Sequence, residues 1–382
     1  MIITALRPVL LSNDYGPEST LEWVGGRIET WDAALVEIET DDGTTGLGEV
    51  AQGIMAAEAV PGICAELETY TLGMPIDDPS SVGDTLRAKT AFWARGGVAS
   101  GVVGAIEVAA WDAVGKRARQ PVFEMIGGAR TRVDCYASGG LGTSFAEVAE
   151  WATAQYRDGY RIIKFRAMAD AATTIDLLDF VDQSVPPDTR IVLDLVQGCA
   201  SEPWPLNDIL AVGTRMESSN AVWLEEPCHA DDVPGYAAVR ERLSVPISGI
   251  ESFSNRSDFM RLLEHDGVDI VQPDVSMMGG PRQFQRVVSD AATRGVRTVP
   301  HIWGTGVSLM ANLHVAIATA DISLIERCTI PNPLREALMA EPLRMSTGGR
   351  LENPRLPGFG VALTPEVERA FPYQRGRGHV IR

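Results

Sequence analysis

From about residue 132 onward, short apolar runs alternate with amphipathic stretches. The runs are rich in Val, Ile and Leu, which predicts buried strands, and they cover residues 133–138, 161–166, 190–195, 221–226, 246–251, 268–274, 297–301 and 322–326. Between them, stretches such as 145–159, 257–267 and 281–295 have helical periodicity and end on glycine. Eight strands alternating with helices, without a glycine-rich fingerprint after the first, favour a closed parallel barrel over an open sheet.

The regions on either side of this repeat have different patterns. Ala34–Thr40 alternates between apolar and polar positions, Asp42-Gly43 follows as a turn, and a second short strand completes a predicted hairpin. Residues 56–125 are mainly helical in pattern. After Glu326 the chain is rich in Pro and Gly, and we expect this tail to return over the N-terminal region.

Several of the predicted barrel strands end on a polar residue. All strand ends of a parallel barrel open on one face, which carries the active site, so these side chains should meet. Three successive strands end on Asp194, Glu225 and Glu251. Crowded carboxylates repel one another unless a cation joins them, and carboxylate ligands without Cys or His favour Mg²⁺. A single acid at the end of a strand is more often an ordinary loop residue. Strand periodicity does not decide whether Glu225 or the adjacent Glu226 is the metal ligand.

Two further pairs of strand-end residues suggest catalysis. His301 and Asp274 end adjacent strands, and a carboxylate that orients an imidazole is a general-base arrangement. Lys164 and Arg166 are two residues apart on one strand, so they point to the same side and suit a carboxylate substrate. We expect no such role for the other histidines, His229, His265, His314 and His379, and His314 lies in an apolar helical run typical of packing.

Composition narrows the possible functions. The 382 residues carry a formal net charge of −18 and no Lys/Arg run, which argues against binding to nucleic acid or to an anionic membrane. The five cysteines include no C-x-x-C pair, which is typical of buried thiols in a reducing compartment. The N-terminus does not resemble a signal peptide, and no apolar run reaches the ~18 residues that span a membrane. We therefore expect a cytoplasmic protein.

The strand-end residues also carry a family resemblance. The segments KFR, LD, WLEEP, GIES, QPDVSMMGG, VPHIWGTG and LIER, with DDGTTGLGE and AIEVAAWDAVGK near the N-terminus, resemble the mandelate racemase subgroup of the enolase superfamily. VPHIWGTGV and NPLREALMAEPL look especially like galactarolactone cycloisomerases and related acid-sugar enzymes. The resemblance implies a modified TIM barrel, (β/α)₇β, at 129–330. It also implies an α+β capping domain at 1–128 and a tail at 331–382 that joins it.

The resemblance also implies roles for individual residues. The Mg²⁺ ligands would be Asp194, Glu225 and Glu251, with Glu225 rather than Glu226 as the ligand, and His301 with Asp274 would be the base dyad. Lys164 and Glu326 would face the substrate carboxylate, and Arg166 and Trp303 would bind other parts of the substrate. Segments 14–28 and 50–56 of the capping domain would close over the barrel mouth. For Trp23, Arg27, Trp31 and Met55, which could line that mouth, we expect packing to be the main role.

Two residues differ from those that are usual in the subgroup, and the first of them bears on which reaction of the subgroup is expected. Arg166 replaces the usual second lysine, and a guanidinium is a poor base. Val196 stands where relatives commonly have Asn. Racemisation needs a base on each face of the α-carbon, so a one-base reaction is favoured: dehydration of an acid sugar to a 2-keto-3-deoxy acid. The alternatives are a cycloisomerase and, ranked lower, a racemase or epimerase or a non-catalytic paralogue. We also expect a homo-oligomer, either a dimer or an octamer.

Overall fold

The computed structural model describes residues 1–16, 20–346, 348–376 and 378–381. The strands are β1 (Ile3–Asp14), β2 (Leu21–Trp23), β3 (Gly26–Ile28), β4 (Thr30–Thr40), β5 (Thr45–Val50), β6 (Arg132–Ser138), β7 (Ile162–Arg166), β8 (Arg190–Asp194), β9 (Ala221–Glu225), β10 (Ile247–Gly249), β11 (Ile270–Val271), β12 (Arg297–Thr298), β13 (Leu324–Cys328), β14 (Met345–Ser346), β15 (Arg350–Glu352) and β16 (His379–Ile381). The helices are α1 (Gly53–Ala56), α2 (Ala59–Thr71), α3 (Pro79–Lys89), α4 (Gly97–Ala118), α5 (Val122–Met125), α6 (Phe145–Arg157), α7 (Ala171–Ser184), α8 (Leu206–Met216), α9 (Val233–Arg242), α10 (Arg256–Glu264), α11 (Pro281–Ala292), α12 (Gly306–Ala318), α13 (Pro333–Ala337) and α14 (Pro365–Ala370).

An antiparallel sheet and a helical layer form the N-terminal region. The sheet has the order β1-β4-β5, and β4 and β5 form the predicted hairpin around Gly43, whose φ is +80°. Gly46 and Gly48 alternate onto one face of β5, where the absence of a side chain lets the backbone of α4 approach. α4 is long and apolar enough to cross a membrane, but it is mostly buried here, as a core helix is.

Eight parallel strands form the barrel. Hydrogen-bonded neighbours run in the order β12-β11-β10-β9-β8-β7-β6, and β13 pairs with the other side of β6. Each strand from β6 to β12 leads into one of the helices α6 to α12, which confirms the predicted (β/α)₇β barrel. One apolar cluster joins side chains from five strand segments across the interior: Tyr136, Val192, Trp223, Ile270 and Val299.

The tail contacts both parts of the molecule. The β14–β15 hairpin first adds to the barrel through antiparallel pairing of β15 with β6. Beyond α14 the chain runs beside β1, where the backbone N–H of Ser12 donates to the carbonyl of Phe371 (3.2 Å). β16 then pairs with β3 in a sheet of the order β16-β3-β2. The tail therefore returns to the N-terminal region, while the domain boundaries after residues 128 and 330 stay a prediction.

Candidate active site

A cavity of about 400 Å³ lies where the carboxyl ends of the barrel strands meet the N-terminal region. Its barrel side includes Arg166, Asp194, Glu251, His301 and Trp303. A larger groove of about 810 Å³ lies at the other end of the barrel, along α9, and contains none of the predicted site residues. The carboxyl-end cavity is therefore the candidate active site, in agreement with the usual location in such barrels.

The three predicted metal ligands lie together at this end. Asp194 and Glu225 are paired in register on β8 and β9, and Glu251 follows β10. Each offers an oxygen, and these oxygens lie within 4.8 Å of one another. Burial, followed by the charge of Glu225, raises the pKa of Asp194 to about 7, although Lys164 and Arg166 act in the opposite direction. The cluster thus holds more negative charge than its surroundings accommodate without a cation.

The second acid of the Glu225-Glu226 pair occupies a different position. Glu226 has a φ of +44°, and its buried side chain lines the cavity. Burial raises its pKa well above the ordinary value, and Glu251 and Asp194 raise it further. Glu225 lies deeper, where its Oε2 accepts a hydrogen bond from Trp223 Nε1 (2.9 Å). The structure thus places Glu226 beside the cluster that contains Glu225, whereas strand periodicity alone left the two acids open as alternatives.

Lys164 lies beneath the cavity and is fully buried. Its Nζ lies 2.5 Å from an oxygen of Glu225, 2.9 Å from one of Glu326 and 3.6 Å from one of Asp194. Burial opposes its charge, but the carboxylates of Glu225 and Glu326 outweigh it and raise the pKa well above the ordinary value. Lys164 is therefore a fixed cation that joins the metal cluster to Glu326, and its predicted contact with substrate stays a prediction.

Arg166 projects from the same strand into the cavity wall. Its Nη1 donates to the carbonyl of Gly139 (2.7 Å) and to Ser138 Oγ (3.2 Å), and its guanidinium lies 4.4 Å from the ring centroid of Trp303. Burial lowers its pKa, but the charge of Asp194, which leads the neighbouring carboxylates, more than compensates. Arg166 therefore keeps its proton and cannot accept one from a substrate.

His301 and Asp274 form the predicted pair. His301 Nδ1 lies 3.0 Å from Asp274 Oδ2. The other carboxylate oxygen of Asp274 accepts from the N–H and hydroxyl of Ser276 (2.8 and 2.6 Å) and from Asn312 Nδ2 (2.9 Å). These bonds orient Asp274, which holds the imidazole with Nε2 3.5 Å from an oxygen of Glu251.

The charges around His301 control its protonation. Burial lowers its pKa, but Glu251, the hydrogen bond to Asp274 and the charge of Glu326 raise it to about 10. Glu251 contributes most to this increase. A cation bound to Glu251 would therefore bring the pKa of His301 back toward the range of a general base.

Glu326 lies on β13 between the cationic groups. Its Oε2 accepts from the N–H of Ile302 (2.7 Å), and its Oε1 accepts from Trp303 Nε1 (3.0 Å). Burial opposes ionisation, yet Lys164, His301 and Arg166 together lower its pKa to about 2. Glu326 is thus an ionised carboxylate that holds Trp303 in the cavity wall.

The roof of the cavity comes from the N-terminal region. It includes Trp23, Arg27, Trp31 and Met55, for which packing was the expected main role. That expectation is incomplete: all four line the cavity, and Trp31 also packs, because its ring stacks on Trp303 at 5.5 Å. Trp23, Arg27 and Met55 belong to the predicted covering segments 14–28 and 50–56, whereas Trp31 lies in β4; residues 17–19 lie outside the described residues.

Of two further lining residues, the sequence assigned no place in the site to His379 and singled out Val196 only as a departure from the subgroup near Asp194. His379 lines the cavity from β16, and the expectation that it has no site position is wrong. Its position depends on pairing between opposite ends of the chain, and GRGHVIR carries no local signal for this pairing. Val196 also lines the cavity and has a φ of +53°, a conformation that β-branched residues rarely adopt. Its place two residues after Asp194 was the available signal.

The remaining histidines are as expected. His229 and His265 lie away from the cavity, and His314 is fully buried. His314 Nδ1 accepts a hydrogen bond from the N–H of Phe123 (3.1 Å).

The carboxylate cluster fits a magnesium ion. Asp194, Glu225 and Glu251 supply oxygen alone, which is the donor type that Mg²⁺ prefers. Buried carboxylates at this separation are unfavourable without a shared cation, which is the same physical reason that raises the pKa of Asp194. The oxygen ligands and the negative charge of the cluster therefore both fit a bound Mg²⁺ ion.

Two family profiles match the chain. The profile described as enolase C-terminal domain-like matches residues 147–367, and the mandelate racemase / muconate lactonizing enzyme N-terminal domain matches residues 23–127. Together they span most of the barrel and most of the N-terminal region.

Relatives span almost the whole chain. D-galactarolactone cycloisomerase from Agrobacterium fabrum is 27% identical over 97% of this chain and 99% of its own length. Arabinonate dehydratase from Saccharolobus solfataricus is 29% identical over 87% of this chain and 88% of its own. A crystal structure of an enolase superfamily member from Polaromonas sp. JS666 covers all of both chains, with a TM-score of 0.91 and 26% identity.

Proposed function

Since the chain belongs to the mandelate racemase / muconate lactonizing enzyme family of the enolase superfamily, we propose that it removes the α-proton of a sugar acid and then eliminates the β-hydroxyl. The product is a 2-keto-3-deoxy acid. The observation that carries this proposal is the convergence of an all-carboxylate cluster and a His–Asp pair at one barrel mouth, beside an arginine in place of a second base.

Mg²⁺ is the proposed cofactor, held by Asp194, Glu225 and Glu251. Loss of an α-proton puts a second negative charge on the substrate carboxylate, and the bound ion would stabilise that charge. Lys164 adds positive charge at the same end of the site, because its buried ammonium group lies among the carboxylates of Glu225, Glu326 and Asp194.

His301 is the proposed base. Its Nδ1–H donates to Asp274, and a cation bound to Glu251 would lower the pKa of the ring so that Nε2 can accept the α-proton on the cavity side. The imidazolium then returns this proton to the β-oxygen as the C–O bond breaks, so that water leaves and an enol remains. Tautomerisation of the enol gives the keto acid, and one base serves both proton transfers.

Arg166 supports a one-base reaction over racemisation. Its guanidinium is held by Gly139, Ser138 and Trp303 and remains protonated, so it can bind a substrate oxygen but cannot take a proton from the opposite face. Racemisation, which needs a second base, is accordingly the less suitable reaction for this site.

A second candidate, cycloisomerisation, has its own supporting observation. The lining of the cavity is rich in apolar side chains, including Trp23, Ile28, Ile54, Met55 and Leu141. An open-chain polyol would leave hydroxyls without partners there, which costs free energy. A lactone or anhydro ring presents a less polar face, and elimination of its ring oxygen would release no water. The mass of the product separates the two reactions, because only dehydration lowers it by one water.

The proposal is tested by a screen of sugar acids and their lactones with Mg²⁺, with 2-keto acid formation as the signal. We expect turnover by the wild type. His301→Asn should abolish turnover and exchange of the α-proton with solvent deuterium, because the substitution removes the proposed base. Mg²⁺ binding should persist, because His301 is not a proposed ligand. An active His301→Asn variant would exclude the assigned base.

Two further proposals concern the location of the enzyme in the cell and its oligomeric state. We propose that the enzyme works in the cytoplasm, which the composition favours, and that it assembles as a homodimer or homo-octamer. Light scattering coupled to size-exclusion chromatography measures the mass of the assembly against the 41.2 kDa of one chain.

A further inference from the structure

The last described strand of the chain contributes to the roof of the active-site cavity. β16 pairs antiparallel with β3, and His379 lies opposite Ile28. β3 pairs on its other side with β2, so one sheet contains roof residues from both the N-terminal region and the tail. Just before β16, the carbonyl of Gly378 accepts a hydrogen bond from the N–H of Glu29 (3.2 Å). Backbone hydrogen bonds thus fix the position of His379, through the pairing of β16 with β3 and through the bond between Glu29 and Gly378 just before it.

The same tail also contacts Glu58, which lies two residues beyond the second covering segment, 50–56. Arg375 forms an ion pair with Glu58 (2.9 Å), and Tyr373 donates a hydrogen bond to Glu58 (3.3 Å). Glu58 lies next to α1, whose residues Ile54 and Met55 line the cavity. The tail therefore pairs with the first covering segment and contacts the chain just after the second.

His379 stands between the active-site cavity and an outer cavity of about 390 Å³. Both cavities are lined by His379 together with Arg27, Asp32 and Met55. The end of a substrate that points away from Asp194 and His301 would reach this boundary. His379 is consequently placed to contact the distal part of a bound molecule.

The ring of His379 has polar capacity that the protein does not use. Its edge packs against Trp31, with ring centroids 5.4 Å apart, and its Nε2 atom is buried without a hydrogen-bond partner among the described residues. Trp31 lines the same cavity, and its Nε1 atom also has no partner in that part of the chain. Buried polar atoms without partners are unfavourable, so these two on neighbouring rings favour a ligand with oxygen atoms.

Burial lowers the pKa of His379 to about 4. At neutral pH the ring is therefore uncharged and offers one N–H donor and one acceptor nitrogen. A neutral imidazole suits a hydroxyl or a ring oxygen of a sugar acid.

We propose that His379 is a substrate-binding residue that hydrogen-bonds an oxygen in the distal part of the sugar acid. This inference rests on the proposed function for the class of substrate. The contrasting role is packing alone, in which the ring only supports Trp31. The two roles differ in what they require, because packing needs an aromatic ring while binding needs a polar atom at the position of Nε2.

Kinetics of two variants separate these roles. His379→Phe keeps a ring against Trp31 but removes the polar nitrogen, and His379→Gln keeps a polar group but removes the ring. For the substrate found in the screen, we expect His379→Phe to raise KM about tenfold with kcat within a few fold, and His379→Gln to stay near the wild-type KM. His265→Phe, at an exposed histidine at the other end of the barrel, serves as the matched control and should leave both constants unchanged.

Equal KM values for His379→Phe and the wild type, or equal defects in the Phe and Gln variants, would overturn the inference. If His379→Phe fails to fold, His379→Leu is compared with His379→Gln by the same criterion.

A binding experiment distinguishes failure of the proposed role of His379 from failure of the proposed function. It measures binding of the same sugar acids and lactones with Mg²⁺ by tryptophan fluorescence. Compounds that bind without turnover or α-proton exchange count against the proposed function alone. Binding that is unaffected by His379→Phe counts against His379 alone, and a wild type that binds none of the compounds counts against both.

Discussion

At the scale of single residues, Val196 combines an unfavourable conformation with a place in the site. Its φ of +53° lies in the left-handed region, which costs an L-residue about 1–2 kcal/mol, while Asn tolerates it. We predict that Val196→Asn increases the free energy of unfolding by about 1 kcal/mol, measured by urea denaturation. Val185→Asn is the matched control, because Val185 has a φ of −95°. A gain of equal size in both variants would show that backbone strain at Val196 is not its cause.

The carboxylate cluster makes a second prediction at this scale. Mg²⁺ at one hundred times its dissociation constant should stabilise the wild type by about 2.7 kcal/mol, and EDTA should reverse the effect. Asp194→Asn removes one of three proposed ligands, so the rise in melting temperature with Mg²⁺ should largely disappear. The same exchange at Asp134, which is exposed near the start of β6 and pairs with Arg350, should retain the rise. Retention of the full Mg²⁺ effect in Asp194→Asn would exclude this residue as a ligand.

At the scale of elements, close packing of β5 on α4 depends on glycine. A Cβ built at Gly48 would lie 2.0 Å from the carbonyl oxygen of Ala105, so the backbone itself would have to move. We predict that Gly48→Ala lowers the free energy of unfolding by about 3 kcal/mol or more. Gly62→Ala is the opposite case, because Gly62 is exposed within α2 with no atom near the new Cβ. It should stabilise by about 0.5–1 kcal/mol, and denaturant curves compare the two variants directly.

The sequence predicted the existence of the barrel strands better than their lengths. Runs at 268–274 and 297–301 were predicted as strands, but β11 and β12 each have only two residues. Pro273 and Pro300 follow shortly after these strands, and proline lacks the N–H that would extend a ladder. The hairpin of β4 and β5 was recognisable because alternation and an Asp-Gly turn are both local signals.

At the scale of the whole molecule, topology explains which parts of the site were predictable. Asp194, Glu225, Glu251, Asp274 and His301 could be brought together because every barrel strand ends on the same face. The burial of Lys164 beneath the cavity depends on three carboxylates from other strands. The place of His379 depends on pairing between β16 and β3, from opposite ends of the chain. Such long-range contacts leave no trace in local hydrophobic periodicity.

His314 also connects distant parts of the molecule. It belongs to α12, accepts its hydrogen bond from Phe123, and packs edge-on against Phe123 and Phe359, with centroids 5.7 and 5.1 Å from its own ring. These neighbours come from the N-terminal region and from the tail. Burial lowers the pKa of His314 to about 3, so the folded protein keeps it neutral in mild acid.

This depressed pKa predicts how stability depends on pH. The unfolded chain binds a proton at His314 below about pH 6.5, while the folded protein does not until about pH 3. Above pH 6.5, His314 therefore does not change the free energy of unfolding. As the pH falls from 6.5 toward 3, His314 lowers this free energy by up to about 1.4 kcal/mol per pH unit. His314→Gln removes this term, so its stability deficit relative to the wild type should shrink by about 3 kcal/mol between pH 7 and pH 4. Urea denaturation across this range measures the deficit, with exposed His265→Gln as the control, and a deficit independent of pH would mean that His314 does not remain neutral in the folded state.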